Sequence, residues 1–413
     1  MSRGPARRLL ATAFLCTAAL MLVPARGFAS PVPRLSVRAA ILIERSTGQE
    51  LYGLHADTRV AIASTTKLMT ALLTLEHVRH LGTMFTQNDY LPATADSQIG
   101  LVPGERMSVH DLLLALLLPS ADDAAEDLAY NVGDGSVARF VAMMNARARE
   151  LGLRHTHYST PSGLDTPGNY STASDLVKLA GYDLAHSRYF ARVVALPSAV
   201  LHSGNYVRHV VNRNVLVGKV PWIDGVKTGH TAEAGYVLVA AGQRSGMTLI
   251  SAVLGTSSEQ ARDANTMALL DYGFANFGLE TPVRAGEVLA RPSVRDQPGK
   301  HAIVIAAASV HRVLPRRTSV TISVQGPRQL TGPLRRGARV GTAVVLAGGR
   351  SIGRVPLVLA RALPAVSALT IASRYFPEVL LGLGIAAAFG AVVVLVLRRR
   401  RRTRSAPGAW EAA

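Results

Sequence analysis

The sequence predicts an α+β fold: an antiparallel sheet beside a helical cluster, then a small all-β domain and one transmembrane helix. Three observations predict it. Strand-like apolar runs before residue 45 and after residue 225 bracket a helix-rich middle, the pattern of a helical lobe inserted beside an antiparallel sheet. Near residue 280 the chain shifts to short β-rich runs punctuated by Pro and Gly, the mark of a small β domain. Val379 to Leu397 carries no charge and is close to the length that crosses a bilayer.

Taken in order, residues 1–29 read as a secretory signal. Arg3, Arg7 and Arg8 precede an apolar run from Leu9 to Val23, and Ala29 is a plausible cleavage point. An uncut membrane anchor is the alternative, but the run is shorter than a spanning helix of about 20 residues. Residues 31–280 form the first domain. Val37 and Ala39–Ile43 lead to a turn at Ser46-Thr47-Gly48, which predicts a hairpin. From Ser64 onward, Leu68, Met69, Leu72, Leu73 and Leu75 recur at helical spacing. Asp111–Leu118 predicts an apolar helix stopped by Pro119, and Ala124–Asn131 another, so Ser120–Asp122 falls in the bend between them. Gly225–Ala241 and Met247–Leu254 read as two strands joined by a turn at Gln243–Gly246.

Residues 281–364 form the β domain, with strands expected at His301–Ala307, Ser319–Val324, Thr342–Leu346 and Val355–Leu359. Residues 365–378 read as a linker, 379–397 as the transmembrane helix and 398–413 as an Arg-rich tail. Arginines 398–402 abut the apolar run. They place that end in the cytoplasm and the globular part outside it. A buried core helix is the alternative for the run, and the abutting charge argues against it.

The formal net charge of +18 overstates the basicity of the folded part. Setting aside ten arginines of the two ends and Glu411 leaves 35 basic against 26 acidic residues, a net of +9. A moderately basic ectodomain suits an anionic cell envelope. Nucleic acid is excluded as a partner by the expected export and by the absence of any aromatic-basic motif. The one cysteine, Cys16, lies in the expected signal. The exported part therefore has no disulfide, thiolate metal site or cysteine nucleophile.

Three motifs then occur in order: Ser64-Thr65-Thr66-Lys67, Ser120-Ala121-Asp122 and Lys227-Thr228-Gly229. They describe a serine acyl-transfer site. Serine needs a base to take its proton. Positions i and i+3 of a helix share a face, which puts Lys67 beside Ser64. Burial and a second cation, Lys227, would lower the Lys67 pKa. Ser120 can relay a proton to the leaving group. On an edge strand, Lys227–Gly229 would let an extended peptide pair alongside. Gly229 removes bulk where substrate backbone approaches. Lys227 and Thr228 suit a terminal carboxylate, and the N–H groups of Ser64 and His230 suit an oxyanion. Each residue also has a plain alternative: Ser64 as a helix cap, the lysines as solvated charges, Thr231–Tyr236 as strand only. Their joint occurrence favours the site.

On these motifs the chain resembles the serine-type D-alanyl-D-alanine carboxypeptidases of the low-molecular-weight penicillin-binding protein class, from about residue 35 to residue 360. Pro119–Ala125, Pro161-Ser162-Gly163-Leu164-Asp165, Ser171–Asp175, and Asp224–Thr231 followed by Ala234-Gly235 carry the resemblance in the first domain. Leu330-Thr331-Gly332-Pro333-Leu334 with Gly337 and Gly341 carries it in the second. The resemblance implies a penicillin-binding/β-lactamase-like sheet with its helical cluster, and an active site in the cleft between them. Ser64 would attack the carbonyl between the last two D-alanines of a peptidoglycan stem peptide, and β-lactams would acylate the same serine. Catalytic roles then fall to Ser64, Lys67 and Ser120. Substrate binding falls to Asp122, Lys227, Thr228, Gly229, His230 and Arg262. No cofactor or metal is implied.

Asp122 departs from the family's Asn. An Asn amide both donates and accepts, whereas an ionised Asp only accepts. Paired with Lys67 or Lys227, it would hold Lys67 charged and weaken the base. A catalytically weak cell-wall scaffold that binds stem peptide is therefore the main competing reading. A class A β-lactamase would need a deacylating glutamate, and Thr160–Asn169 holds none. A zinc peptidase would need clustered ligands; His155 and His157 flank Thr156, a pattern more often surface than metal site, and His202 and His209 are scattered.

Overall fold

The computed structural model describes residues 30–402 apart from Ala95, Asp296 and Val366. The expected signal at residues 1–29 and most of the tail, residues 403–413, lie outside the described residues.

β1 (Ala39–Glu44) and β2 (Glu50–Leu54) form the expected hairpin. The buried Glu44 carboxylate closes it by accepting from the Ser46 and Thr47 N–H groups at 3.0 and 2.8 Å. A 3₁₀ turn, Ala63–Thr66, opens into α1 (Lys67–His77). Every residue of α1 from Lys67 to Thr74 is buried, so this helix runs through the lobe rather than over it. The short hairpin β3 (Met84–Thr86) and β4 (Arg106–Ser108) leads into α2 (Val109–Leu117), where the Ser108 hydroxyl accepts the Asp111 N–H as an N-cap. The lobe is completed by α3 (Asp122–Val132), α4 (Val137–Glu150), α5 (Ala173–His186) and α6 (Arg188–Val194). A second hairpin follows, β5 (Ser198–Leu201) and β6 (Arg208–Val211).

The chain then returns to the sheet as β7 (Ile223–Thr231), β8 (Gly235–Arg244) and β9 (Met247–Thr256). The sheet is antiparallel in the order β2-β1-β9-β8-β7, so β7 is an edge. Its two faces sort by the two-residue period of strands. Ile41, Val237, Val239 and Ala252 face the helical lobe. Leu42, Leu238, Ala240 and Leu249 face α7 (Glu259–Asn276), packing on Leu269, Leu270 and Phe274. Gly225–Ala241 is thus two strands, not the single one expected. The reversal at residues 232–234 is marked only by Gly235 at φ 64°. The reversal carries no Asn-Gly or Asp-Gly pair, and its Thr-Ala-Glu-Ala residues also occur within strands.

The second domain begins with β10 (Phe277–Val283), which straddles the composition shift at residue 280. Next come β11 (Val288–Ala290), β12 (Ser293–Val294), β13 (Val304–Ala306), β14 (Val310–Pro315), β15 (Val320–Gln325), β16 (Gln329–Leu330), β17 (Arg339–Ala347) and β18 (Arg350–Leu359). Five of them make a sheet ordered β11-β13-β18-β17-β15, and β10 pairs with β14. Val313 of β14 is buried in the cluster that holds Leu269, Leu270 and Phe274 of α7. The Arg316 side chain donates to the Phe274 carbonyl at 2.9 Å. The two domains therefore share a core.

The last element is α8 (Ala368–Arg402), with Pro377 inside it. The expected linker is helical from Ala368 onward. Phe376–Arg401 is long and apolar enough to cross a membrane, and its apolar window is unburied within the protein.

Candidate active site

Ser64 sits in the 3₁₀ turn at the head of α1, and Lys67 is the first residue of the α-helix. The i, i+3 relation holds: Lys67 Nζ lies 2.8 Å from Ser64 Oγ. Lys67 is fully buried. It also donates to Asp122 Oδ1 at 2.6 Å and to the Ser162 carbonyl at 2.8 Å, so all three ammonium donors are occupied. The Ser162 carbonyl is held there by close packing at Gly163 (φ 91°). A Cβ on Gly163 would fall onto the Ala63 carbonyl oxygen.

Asp122 opens α3, and the corner before it puts Ser120 at φ 68°. A non-glycine residue takes this conformation uncommonly, and here it turns the chain from α2 into α3. Ser120 Oγ is buried and has no hydrogen-bond partner among the described residues. Of the two lysines that sequence offered to Asp122, the structure chooses Lys67.

The Lys227-Thr228-Gly229 run lies on the edge strand β7. Gly229 packs against the serine turn: a Cβ there would stand 2.9 Å from the Ser64 backbone nitrogen and 2.8 Å from Val237 Cγ2. The Ser64 backbone nitrogen is thereby set against β7 at Gly229. Lys227 Nζ is buried and donates to the Thr228 carbonyl at 3.0 Å. His230 is exposed and stacks on Tyr236 with ring centroids 3.9 Å apart.

Arg262 comes from α7. Its side chain is 2% exposed and bonds Asp263 at 2.9 Å, with Glu259 at 3.6 Å. One terminal nitrogen, Nη2, is buried without a partner. Ser64, Ser120, Asp122, Thr228, Gly229, His230 and Arg262 all line one cleft of about 460 Å³. Lys67 and Lys227 lie beneath its floor, outside the lining.

Sequence reasoning missed three contributors. Arg213 lines the cleft and is fixed by its Nε donating to the Pro119 carbonyl at 2.8 Å. The Ser162 carbonyl holds Lys67. Glu126, one turn after Asp122 on α3, adds a further carboxylate near Lys67. The Asn212-Arg213-Asn214 loop has no motif that would have flagged Arg213. Ser162 lay in a stretch already singled out, but a backbone carbonyl leaves no side-chain signature.

Burial pushes the Lys67 pKa down, Asp122 and Glu126 oppose it, and Arg213 adds to the lowering. Burial pushes Lys227 well below its ordinary value, and the positive charges of Lys67 and Arg213 push it further. Glu126 is raised to about 7 by burial and by the Asp122 charge, against the pull of Lys67. Both buried lysines are thus held below the ordinary amine range, Lys67 against the pull of two carboxylates. Among the described residues no group of three or more His, Cys, Asp or Glu side chains is arranged to hold a metal.

The comparisons agree with the geometry. Residues 27–258 match the family described as D-alanyl-D-alanine carboxypeptidase, and residues 277–365 match the penicillin-binding protein 5 C-terminal domain. The chain is 28% identical over 365 residues to D-alanyl-D-alanine carboxypeptidase DacF of Bacillus subtilis (strain 168), covering 85% of this chain and 93% of that one. It is 30% identical over 378 residues to DacA of Escherichia coli (strain K12), covering 87% and 92%. Among solved structures, penicillin binding protein 5 from Haemophilus influenzae aligns with a TM-score of 0.67 and 27% identity, over 81% of this chain and 99% of that one. The Streptomyces K15 DD-transpeptidase aligns with a TM-score of 0.57 and 35% identity, over 60% and 100%. The edge-strand cleft, the seryl-lysyl pair and the family match across both domains lead to one statement: this chain belongs to the D-alanyl-D-alanine carboxypeptidase family and is a serine-type hydrolase.

Proposed function

We propose that the protein is a membrane-anchored carboxypeptidase that removes the terminal D-alanine of peptidoglycan stem peptides through an acyl-enzyme on Ser64, and that β-lactams acylate the same residue. The observation that carries the reading is the 2.8 Å contact of buried Lys67 with Ser64 Oγ beside an edge strand. Neutral Lys67 takes the Ser64 proton as Oγ attacks the carbonyl carbon. The Ser64 and His230 N–H groups receive the developing oxyanion. The peptide C–N bond breaks, and Lys67 returns the proton to the departing amine through Ser120. Water then hydrolyses the ester and restores Ser64. The substrate backbone pairs along β7 as an added strand, and its terminal carboxylate meets Thr228 and the unpartnered nitrogen of Arg262, with the Lys227 side chain beneath them. Helix α8 anchors the enzyme, with its arginines on the cytoplasmic side.

The test is D-alanine release by purified residues 31–365 from a Lys-D-Ala-D-Ala peptide, beside Ser64→Ala. We expect release that vanishes in the variant. Release that survives Ser64→Ala overturns the assignment of the nucleophile.

One observation favours a second reading, a catalytically weak stem-peptide-binding scaffold: the Lys67–Asp122 ion pair at 2.6 Å, which favours the charged lysine. Well-folded protein that binds a fluorescent penicillin but releases no D-alanine would select it.

A further inference from the structure

The two domains carry opposite net charge. Residues 31–280 hold 20 basic against 23 acidic side chains, whereas residues 281–364 hold 14 basic against 2 acidic ones. The small β domain therefore has a net charge of +12, and 13 of its 14 cations are arginine. All 14 are exposed. Among the described residues none of them enters an ion pair. Self-repulsion of this density works against a compact fold, so the charge does not serve the domain's own stability.

The cations are placed unevenly, because the domain has two ends. At one end Ala347 opposes both Val320 and Arg350. The Gly348 N–H donates to the Ser319 carbonyl at 3.0 Å, and the Arg316 N–H to the Asn276 carbonyl at 2.7 Å, so this end joins the first domain. At the other end Arg339 opposes Val358 and Val304 opposes Leu359, and the chain leaves for α8. Backbone bonds draw this second end together. Leu334 and Leu363 exchange two, at 2.8 and 2.7 Å, and the Gly337 N–H donates to the Leu359 carbonyl at 2.9 Å. The Ala360 N–H donates to the Ile303 carbonyl at 2.9 Å, and the Arg295 N–H to the Leu330 carbonyl at 2.8 Å. The β12–β13 connection, the β16–β17 connection and the exit to α8 thus converge. Arg295 and Lys300 lie on the first, Arg335 and Arg336 on the second, and Arg361 on the exit. Arg339 opens β17, Arg291 follows β11 where Ala290 opposes Val304, and the Arg328 carbonyl accepts the Ser293 N–H at 3.1 Å. Eight of the 14 cations therefore stand at the end from which the apolar helix departs. The sequence from Val288 to Ala365 has one acidic residue, Asp296.

We propose that this end of the β domain is a lipid-headgroup surface, which rests on the membrane that α8 enters and binds anionic phospholipid through its arginines. The proposal rests on the reading of α8 as a membrane anchor. Guanidinium forks match phosphate oxygens in geometry and charge. A plane of anionic headgroups meets one end of a domain, whereas a mobile polyanion would meet Arg317 and Arg350 as readily. The contact orients the enzyme. The first domain joins the opposite end, and the ten residues of β18 that run between the ends span roughly 30 Å. The attraction is screened within about 10 Å at 0.1 M salt, so a salt wash releases it while a spanning helix stays.

The test sediments purified residues 31–365 with vesicles of phosphatidylglycerol or of phosphatidylcholine at low ionic strength. Among the described residues no buried apolar cluster includes a residue after Leu363, and the apolar window of α8 is unburied, so this piece keeps the whole folded core. Arg335→Gln with Arg336→Gln is compared with Arg317→Gln and Arg350→Gln, which removes equal charge from the end beside the first domain. All four side chains are exposed, so neither pair disturbs the core. We expect binding to phosphatidylglycerol alone, abolished by high salt. The first pair should weaken it about tenfold or more, and the second should leave it nearly unchanged. Equal loss from both pairs assigns the binding to net charge and overturns the proposal, as does equal binding to phosphatidylcholine. Binding of soluble polyphosphate without binding of vesicles makes the surface a polymer site and also overturns it. Full-length protein that high salt washes from membranes would overturn the reading of α8 itself, a result separate from the vesicle arms.

Discussion

At Asp122 the chemistry of the site turns on one atom pair. The carboxylate sits 2.6 Å from Lys67 Nζ and raises the lysine pKa against the pull of burial. Asp122→Asn removes that charge. In the proposed reaction the alkaline rise of kcat/KM follows neutral Lys67, and it should then move to lower pH by about one to three units, with faster acylation by a fluorescent penicillin at neutral pH. An unmoved pH profile would mean that Lys67 is not the base. Gly229 offers a second test. Because a Cβ there would press on the Ser64 nitrogen, Gly229→Ala should lower kcat/KM on the order of 10²-fold, with thermal stability falling far less. At this scale Ser64, Lys67, Ser120 and Lys227 were legible because chemistry forces particular residue types at fixed spacing. Arg213 and Glu126 were not, since they reach the site through tertiary packing and belong to no local pattern.

Helix α5 carries an unusual internal group. Asp183 is buried, neither carboxyl oxygen has a partner among the described residues, and burial raises its pKa well above the ordinary carboxyl value. The folded state thus keeps a proton that the unfolded chain releases, so this residue's contribution to stability falls as pH rises above the usual carboxyl range. Asp183→Asn should raise the Tm more at about pH 8 than at about pH 5, by ~2–4 °C for each kcal/mol recovered. Equal shifts at both pH values would contradict the assignment. Apolar density marked α1 and α2, and the bend after Pro119 marked the start of α3. Periodicity left α4 through α7 unassigned, because polar residues dominate their outer faces. The merging of β7 with β8 has a different cause: the reversal at residues 232–234 lacks the Asn-Gly or Asp-Gly pair that usually marks a tight hairpin.

For the molecule as a whole, the two-domain layout and the C-terminal apolar helix were readable from composition alone. The seam between the domains was not, because a boundary in composition need not coincide with a boundary in packing. Truncation after residue 365 removes α8, and we expect the protein to move from the membrane fraction to the soluble one with kcat/KM on a small peptide unchanged. Retention in the membrane fraction would place the anchor elsewhere. Deletion of residues 281–364 is a different operation. Sequence alone suggests that it would spare activity on a soluble peptide, but it removes Val313 from the cluster around Leu269 and Phe274 and leaves Phe277 and Leu279 without β14. The strand that links the domains is also a wall of the first domain's interior. Heat should therefore melt both domains in one calorimetric transition, and neither half should serve as an independent part for grafting onto another enzyme.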